Sequence, residues 1–89
     1  MKKIKLLIFL FISLNAVAEQ KLFKKANSAY SNDSIAKAIT LYDSILVLGK
    51  ESSELYYNLG NCHYKNNNWE NAIWHYEKSL KLNLSLIHI

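Results

Sequence analysis

Residues 55–83 read LYYNLGNCHYKNNNWENAIWHYEKSLKLN, a stretch crowded with aromatics, one cysteine, two histidines and an asparagine run. Such crowding can mark chemistry or packing, and the spacing decides which. Leu55, Leu59, Cys62 and His63, then Trp69, Ala72, Ile73, Tyr76 and Leu80, recur every three or four residues, the rhythm of an apolar helix face. Asn66-Asn67-Asn68 interrupts that rhythm, and asparagine tolerates the left-handed backbone that a tight turn requires. The stretch therefore predicts two helices joined by a turn.

The same rhythm extends backwards. Leu22, Ala26, Ala29 and Tyr30 form one apolar series, and Ile35, Ala38, Ile39, Tyr42, Ile45 and Leu46 form another. Polar breaks fall at residues 31–34 and 49–52, and no proline occurs anywhere. Asp33 or Ser34, Ser52 or Ser53, and Asn68 are candidate N-caps, whose side chains can accept from the free amides of a first turn. Four helices are expected, near 20–31, 34–48, 53–65 and 69–82.

Sliding the chain against itself until Asn27 meets Asn61 also brings Tyr30 onto Tyr64 and Asn32 onto Asn66. The same shift aligns Ala38-Ile39 with Ala72-Ile73, Tyr42 with Tyr76, Leu46 with Leu80 and Leu48 with Leu82. Two helices repeated with a period of about 34 residues are the mark of the tetratricopeptide repeat. Residues 56–83 closely resemble such a repeat, and residues 23–49 resemble a more divergent one. In the second unit Tyr56, Leu59, Gly60, Trp69, Ala72, Tyr76, Ser79 and Leu80 fall on signature places. The first keeps Ala26, Ala38 and Tyr42 but puts Lys25 where leucine is usual and Ile45 where a small residue is usual. The resemblance implies an all-α solenoid of two repeats, residues 19–52 and 53–83. Gly60 and Ala72 would be small where helices cross, and Tyr56, Trp69 and Tyr76 large where they fill the space between helices.

Residues 1–18 form a candidate signal peptide, with a lysine-rich start, an apolar core from Leu6 to Leu14 and Ala16-Val17-Ala18 for cleavage. Only 13 uncharged residues separate Lys5 from Glu19, against about 20 for a spanning helix. The expected location is therefore the periplasm, with membrane anchoring through residues 4–18 the alternative. No cysteine lies near the cleavage point, so lipid anchoring there is not expected. Within the family, this leader and the sequence that follows look like exported repeat proteins of the Bacteroides aerotolerance operon type. All-lysine basicity and ten asparagines fit an AT-rich bacterial genome.

Net charge is +4, but without Lys2, Lys3 and Lys5 eight lysines face seven acids. The remaining +1 makes no basic face for nucleic acid. One cysteine cannot form an internal disulfide, so packing alone must hold the fold. No phosphate loop, serine elbow or carboxylate pair is present, and no catalytic residue, metal site or cofactor is expected. Cys62 occupies a place where the family usually has alanine, and His63 a place usual for tyrosine, so both are expected to pack. His75 and His88 share no ligand spacing with them. A thiol- or metal-dependent protein using Cys62 and His63, or a self-assembling structural repeat protein, are the alternative readings.

The resemblance implies a concave groove on the first helix of each pair, binding a peptide or partner helix. Its lining falls on Phe23, Asn27 and Tyr30, then Glu54, Tyr57, Asn58, Asn61, Tyr64 and Lys65. Asparagine amides can both donate to and accept from a peptide backbone, and tyrosines give rigid contact area. Some members grip a terminal carboxylate. Asn27 and Asn58 match part of that arrangement, but Phe23 stands where a clamp lysine would be, so that specificity is not expected.

Residues 84–89, LSLIHI, break the pattern. They are what the end sequence of a transposase-based sequencing adapter encodes, and are expected to be non-native, with the gene cut at Asn83. About three repeats are generally needed for a stable stack. Two would leave an apolar flank, and residues 19–83 alone are expected to be marginal or self-associating.

Overall fold

The computed structural model describes the backbone of residues 2–85 and the side chains of residues 16–84. Four helices follow one another: α1 Lys2–Ser31, α2 Ile35–Val47, α3 Ser53–Lys65 and α4 Trp69–Ser85. Among the described residues there is no strand. The last four residues of the suspected non-native tail lie outside them.

Three helices close in one way. At the end of α1, Ser34 N–H donates to Ala29 O (2.8 Å) and Asp33 N–H to Tyr30 O (3.1 Å). At the end of α3, Asn68 N–H donates to His63 O (2.9 Å) and Asn67 N–H to Tyr64 O (3.0 Å). At the end of α2, Lys50 N–H reaches Ile45 O and Gly49 N–H reaches Leu46 O. Each closure places one residue in the left-handed region: Asp33 at φ 64°, Gly49 at 78° and Asn67 at 60°. These are Schellman closures, which satisfy the last carbonyls of a helix and need a residue that tolerates positive φ. Asp33 and Asn67 are equivalent positions of the two units, so both repeats turn at the same place. Entry into α3 is capped as expected, with Ser52 Oγ accepting from Leu55 N–H at 3.0 Å. Ser34 precedes α2 without a side-chain cap bond.

Two boundaries differ from the sequence expectation. The first helix does not begin near residue 20 but runs from Lys2 through Ala16-Val17-Ala18 without a break. Nothing in that segment can stop a helix, because it has neither proline nor glycine. At the other end α4 passes Asn83 and continues to Ser85. The corresponding place in the first repeat is Gly49, whose positive φ ends α2.

Each helix packs on the one before and the one after it in the chain. The core joins Ala26 and Ala29 of α1, Ile35, Ala38, Tyr42 and Ile45 of α2, and Leu55, Leu59 and Cys62 of α3. Ile45, which stands where a small residue is usual, is fully buried. Its counterpart Ser79 is also buried, clasped by a reciprocal pair of bonds in which Ser53 Oγ donates to Ser79 O (2.9 Å) and Ser79 Oγ to Ser53 O (2.7 Å). Lys25 is exposed, whereas its counterpart Leu59 is fully buried. The reason is positional: Leu59 faces the preceding repeat, and among the described residues no helix packs on the corresponding side of α1. Trp69, expected to fill interhelical space, is instead 52% exposed, meeting Tyr64 edge-on at 5.0 Å. Its counterpart Ile35 is buried in the core with residues of the helix that follows α2, and among the described residues no helix follows α4.

Candidate functional site

The groove builds on a bond that the chain makes twice. Tyr42 Oη donates to Asn27 Oδ1, and one repeat later Tyr76 Oη donates to Asn61 Oδ1 at 2.6 Å. In each repeat the second helix thus fastens an asparagine of the first. The floor between the repeats is a cleft of about 220 Å³ lined by Asn27, Tyr30, Ser31, Tyr42, Asn58 and Asn61. Four of the nine expected groove residues gather here. Phe23 and Glu54 line an adjoining depression that shares Asn27 with the cleft. Phe23 also meets Tyr42 edge-on at 5.8 Å.

Tyr57, Tyr64 and Lys65 do not reach the cleft floor. Tyr57 and Tyr64 are more than half exposed on α3. Tyr57 leans against Tyr76 at 5.8 Å, and Lys65 Nζ sits 4.4 Å from the centre of the Tyr30 ring. A cation over an aromatic face is electrostatically favourable, so Lys65 holds α3 against α1 as well as lending charge to the rim.

Tyr42 and Ser31 were not expected in the cleft. Tyr42 reads as packing from its spacing alone, yet its hydroxyl faces the groove. The available signal was that asparagine and tyrosine recur together, 15 residues apart in each repeat. Burial pushes the Tyr42 hydroxyl up to about 12, helped by Cys62, while hydrogen bonding with the Asn58 side chain pulls the other way. Burial likewise raises Tyr76. Both hydroxyls stay protonated at neutral pH, as donors to their asparagines.

Cys62 is fully buried, and burial pushes its thiol up to about 11, against the partial pull of Lys65. A thiol that resists ionisation is a poor nucleophile and a poor ligand. His63 packs between helices, as its place in the repeat implied, and its partner is the other histidine of the stretch. His63 and His75 share no ligand spacing, but the packing of α4 on α3 stacks their rings 4.8 Å apart at 22°. His75 Nδ1 lies 2.6 Å from Asn71 O. Burial lowers the His63 pKa, and the nearby His75 lowers it further. Among the described residues no three His, Cys, Asp or Glu side chains come together to hold a metal ion. His88 lies outside the described residues.

What the cleft offers is hydrogen-bonding amides flanked by tyrosine rings. Residues 53–85 match the family model of the tetratricopeptide repeat. With the same two-helix unit preceding it in α1 and α2, the fold is an all-α solenoid of two such units. Repeats of this kind generally mediate protein–protein contacts and are generally not catalytic. A search of curated proteins finds no match to the chain.

Proposed function

We propose that this chain is a non-catalytic scaffold whose concave face holds an extended segment of another protein outside the cytoplasm. The observation that carries the reading is the row Asn27, Asn58 and Asn61 at the floor of the cleft, with Tyr30 beside it. An extended backbone presents donors and acceptors at regular intervals along its edge, and side-chain amides can pair with it whatever its sequence. The tyrosines add contact area with little ordering cost. The buried, un-ionised Cys62 speaks against the thiol-dependent alternative.

Export is part of the proposal and rests on the lysine-rich start, the apolar run and Ala16-Val17-Ala18. Kinship with the exported repeat proteins of the Bacteroides aerotolerance operon type rests on that leader together with the repeats. No helix among the described residues is long and apolar enough to cross a membrane. Mass spectrometry of protein recovered from a producing bacterium should find an N-terminus at Glu19. An intact Met1 would remove cleavage from the reading.

The groove is tested with a displayed library of random linear peptides, selected on the folded chain. Ligands should be enriched that lose about tenfold or more in affinity on Asn58→Ala, the equivalent of one good hydrogen-bonding contact. Ligands indifferent to both Asn58→Ala and Asn27→Ala would place binding elsewhere and sink the proposal.

A further inference from the structure

The two ends of the cleft carry opposite charge. On one side of Asn27 lies the depression that holds Phe23, where Glu19 of α1 and Glu54 of α3 stand against the single ammonium of Lys24. On the other side Tyr30 lines the cleft, with Lys65 Nζ over its ring. Lys65 in turn lines a further depression with Lys37 and Asp33. One end of this trough has carboxylate in excess and the other has ammonium in excess. Glu54 in the first turn of α3 and Lys65 in its last also suit the helix dipole. The dipole accounts for their signs, and their position gives those signs a use, since both border depressions joined to the cleft. Cleavage before Glu19 would add an ammonium group at the acidic end, so Glu54, on α3, is the durable carboxylate there.

Each end offers a seat for one kind of side chain. Beside Glu54, the Phe23 ring gives an apolar face for an aliphatic stem and an electrostatically favourable one for a cation. Arginine suits it best, because a planar guanidinium can stack on a ring while it pairs with a carboxylate. At the other end an ammonium has three N–H donors, so Lys65 can meet a carboxylate while it stays over Tyr30. The separation of the seats follows from α3, a helix of 13 residues with Glu54 second and Lys65 last. At about 1.5 Å per residue the two charges lie about 16 Å apart along it. An extended chain covers that distance in about five residues.

We infer that the groove selects an extended segment carrying a basic and an acidic side chain about four to six residues apart, the basic one between Phe23 and Glu54 and the acidic one on Lys65. This rests on the concave-groove reading and narrows its ligand. The amides of Asn27, Asn58 and Asn61 can hold a backbone whatever its sequence, whereas the charged ends fix its register and disfavour segments of the wrong sign.

The test is a displayed library of linear peptides with uncharged flanks on both sides, so that no peptide terminus reaches the groove, selected on the full chain at low salt. Among ligands that need Asn58, a basic and an acidic residue should be enriched about four to six positions apart. Such a ligand should lose about tenfold in affinity on Glu54→Lys, and regain it when its own basic residue is changed to glutamate. Lys65→Glu should be rescued in the same way by lysine in place of the ligand's acidic residue. Both positions are exposed, and circular dichroism checks that each variant keeps its helices. Rescue by reversed charge is an effect that a loss of folding cannot give. Ligands that need Asn58 but carry no such charge pattern, or that ignore both Glu54→Lys and Lys65→Glu, would overturn this inference and leave the groove reading standing. A selection with no ligand dependent on Asn58 or Asn27 would remove the groove reading and this inference with it.

Discussion

Gly60→Ala tests a close approach between α3 and α4. A Cβ on residue 60 would lie 2.5 Å from Cε1, 2.6 Å from Cδ1 and 3.1 Å from Cγ of Tyr76. Carbon atoms prefer separations of about 3.5–4.0 Å, so the ring must shift by on the order of 1 Å. It is not free to swing, because its hydroxyl is bonded to Asn61. Overpacking of this sort costs about 1–3 kcal/mol. Against it, alanine in place of glycine inside a helix gains about 0.8–1 kcal/mol. The first repeat supplies an internal control. Its counterpart of Gly60 is Ala26, fully buried, and the counterpart ring Tyr42 still donates to Asn27. A methyl can therefore be accommodated by relaxation, which places the net loss near about 1 kcal/mol. Urea unfolding followed by tryptophan emission reads it directly. With a slope of about 1 kcal/mol per molar for a chain this small, the midpoint should fall by about 1 M at unchanged slope. In a Tyr76→Ala background the obstacle is gone, and the same substitution should stabilise by about 1 kcal/mol. If Gly60→Ala destabilises equally in both backgrounds, the ring is not what requires glycine and the packing account is wrong.

Leu59→Ala and Leu80→Ala remove the same atoms from a fully buried and a 57% exposed site. The first should cost about 2–5 kcal/mol in urea unfolding and the second under about 1 kcal/mol; equal losses would mean that the α4 face is covered in solution. Cys62 should resist a disulfide reagent at pH 8 in the folded chain and react fully in urea, since its buried thiol ionises only near 11; rapid native reaction would contradict its burial. The His63 pKa lies below its ordinary 6.5 in the folded chain, so the unfolded chain takes up that proton first. Stability from this group is therefore complete above about 6.5 and falls as pH drops through and below that value. Melting temperatures of wild type and His63→Phe should diverge between pH 7.5 and 5.5, with wild type losing more; parallel losses would exclude the stacked pair as the cause.

The four helices were legible because the interruptions are sharp and the apolar rhythm between them never slips register. Asn66-Asn67-Asn68 could be read as a left-handed turn from residue type alone, and Asn67 takes that conformation. The start of α1 was not legible, since an apolar leader and a repeat helix share residue types and nothing between them breaks a helix. Trp69 shows a different shortfall. Its size signals burial against a neighbour, but periodicity does not say whether that neighbour lies within the described stack. The groove asparagines were found by position, whereas the tyrosines that hold Asn27 and Asn61 were read only as packing. A ring that fills space and a hydroxyl that reaches a groove are one side chain, and spacing reports only the ring. The His63–His75 stack was invisible for a related reason: its two members lie on different helices, brought together only by the crossing of α4 over α3.

The twice-made tyrosine–asparagine bond also constrains how this surface can diverge. Exchanging Asn61 for other groove chemistry removes the partner of the Tyr76 hydroxyl on the helix behind, and exchanging Asn27 leaves the Tyr42 hydroxyl with Asn58. Neither tyrosine can lose its hydroxyl without releasing the amide in front. Drift in the chemistry of this surface should therefore proceed by paired replacement, one residue on each helix of a repeat. The unfastened Tyr57 and Tyr64, by contrast, are free to vary singly and would be the first positions at which related grooves part company.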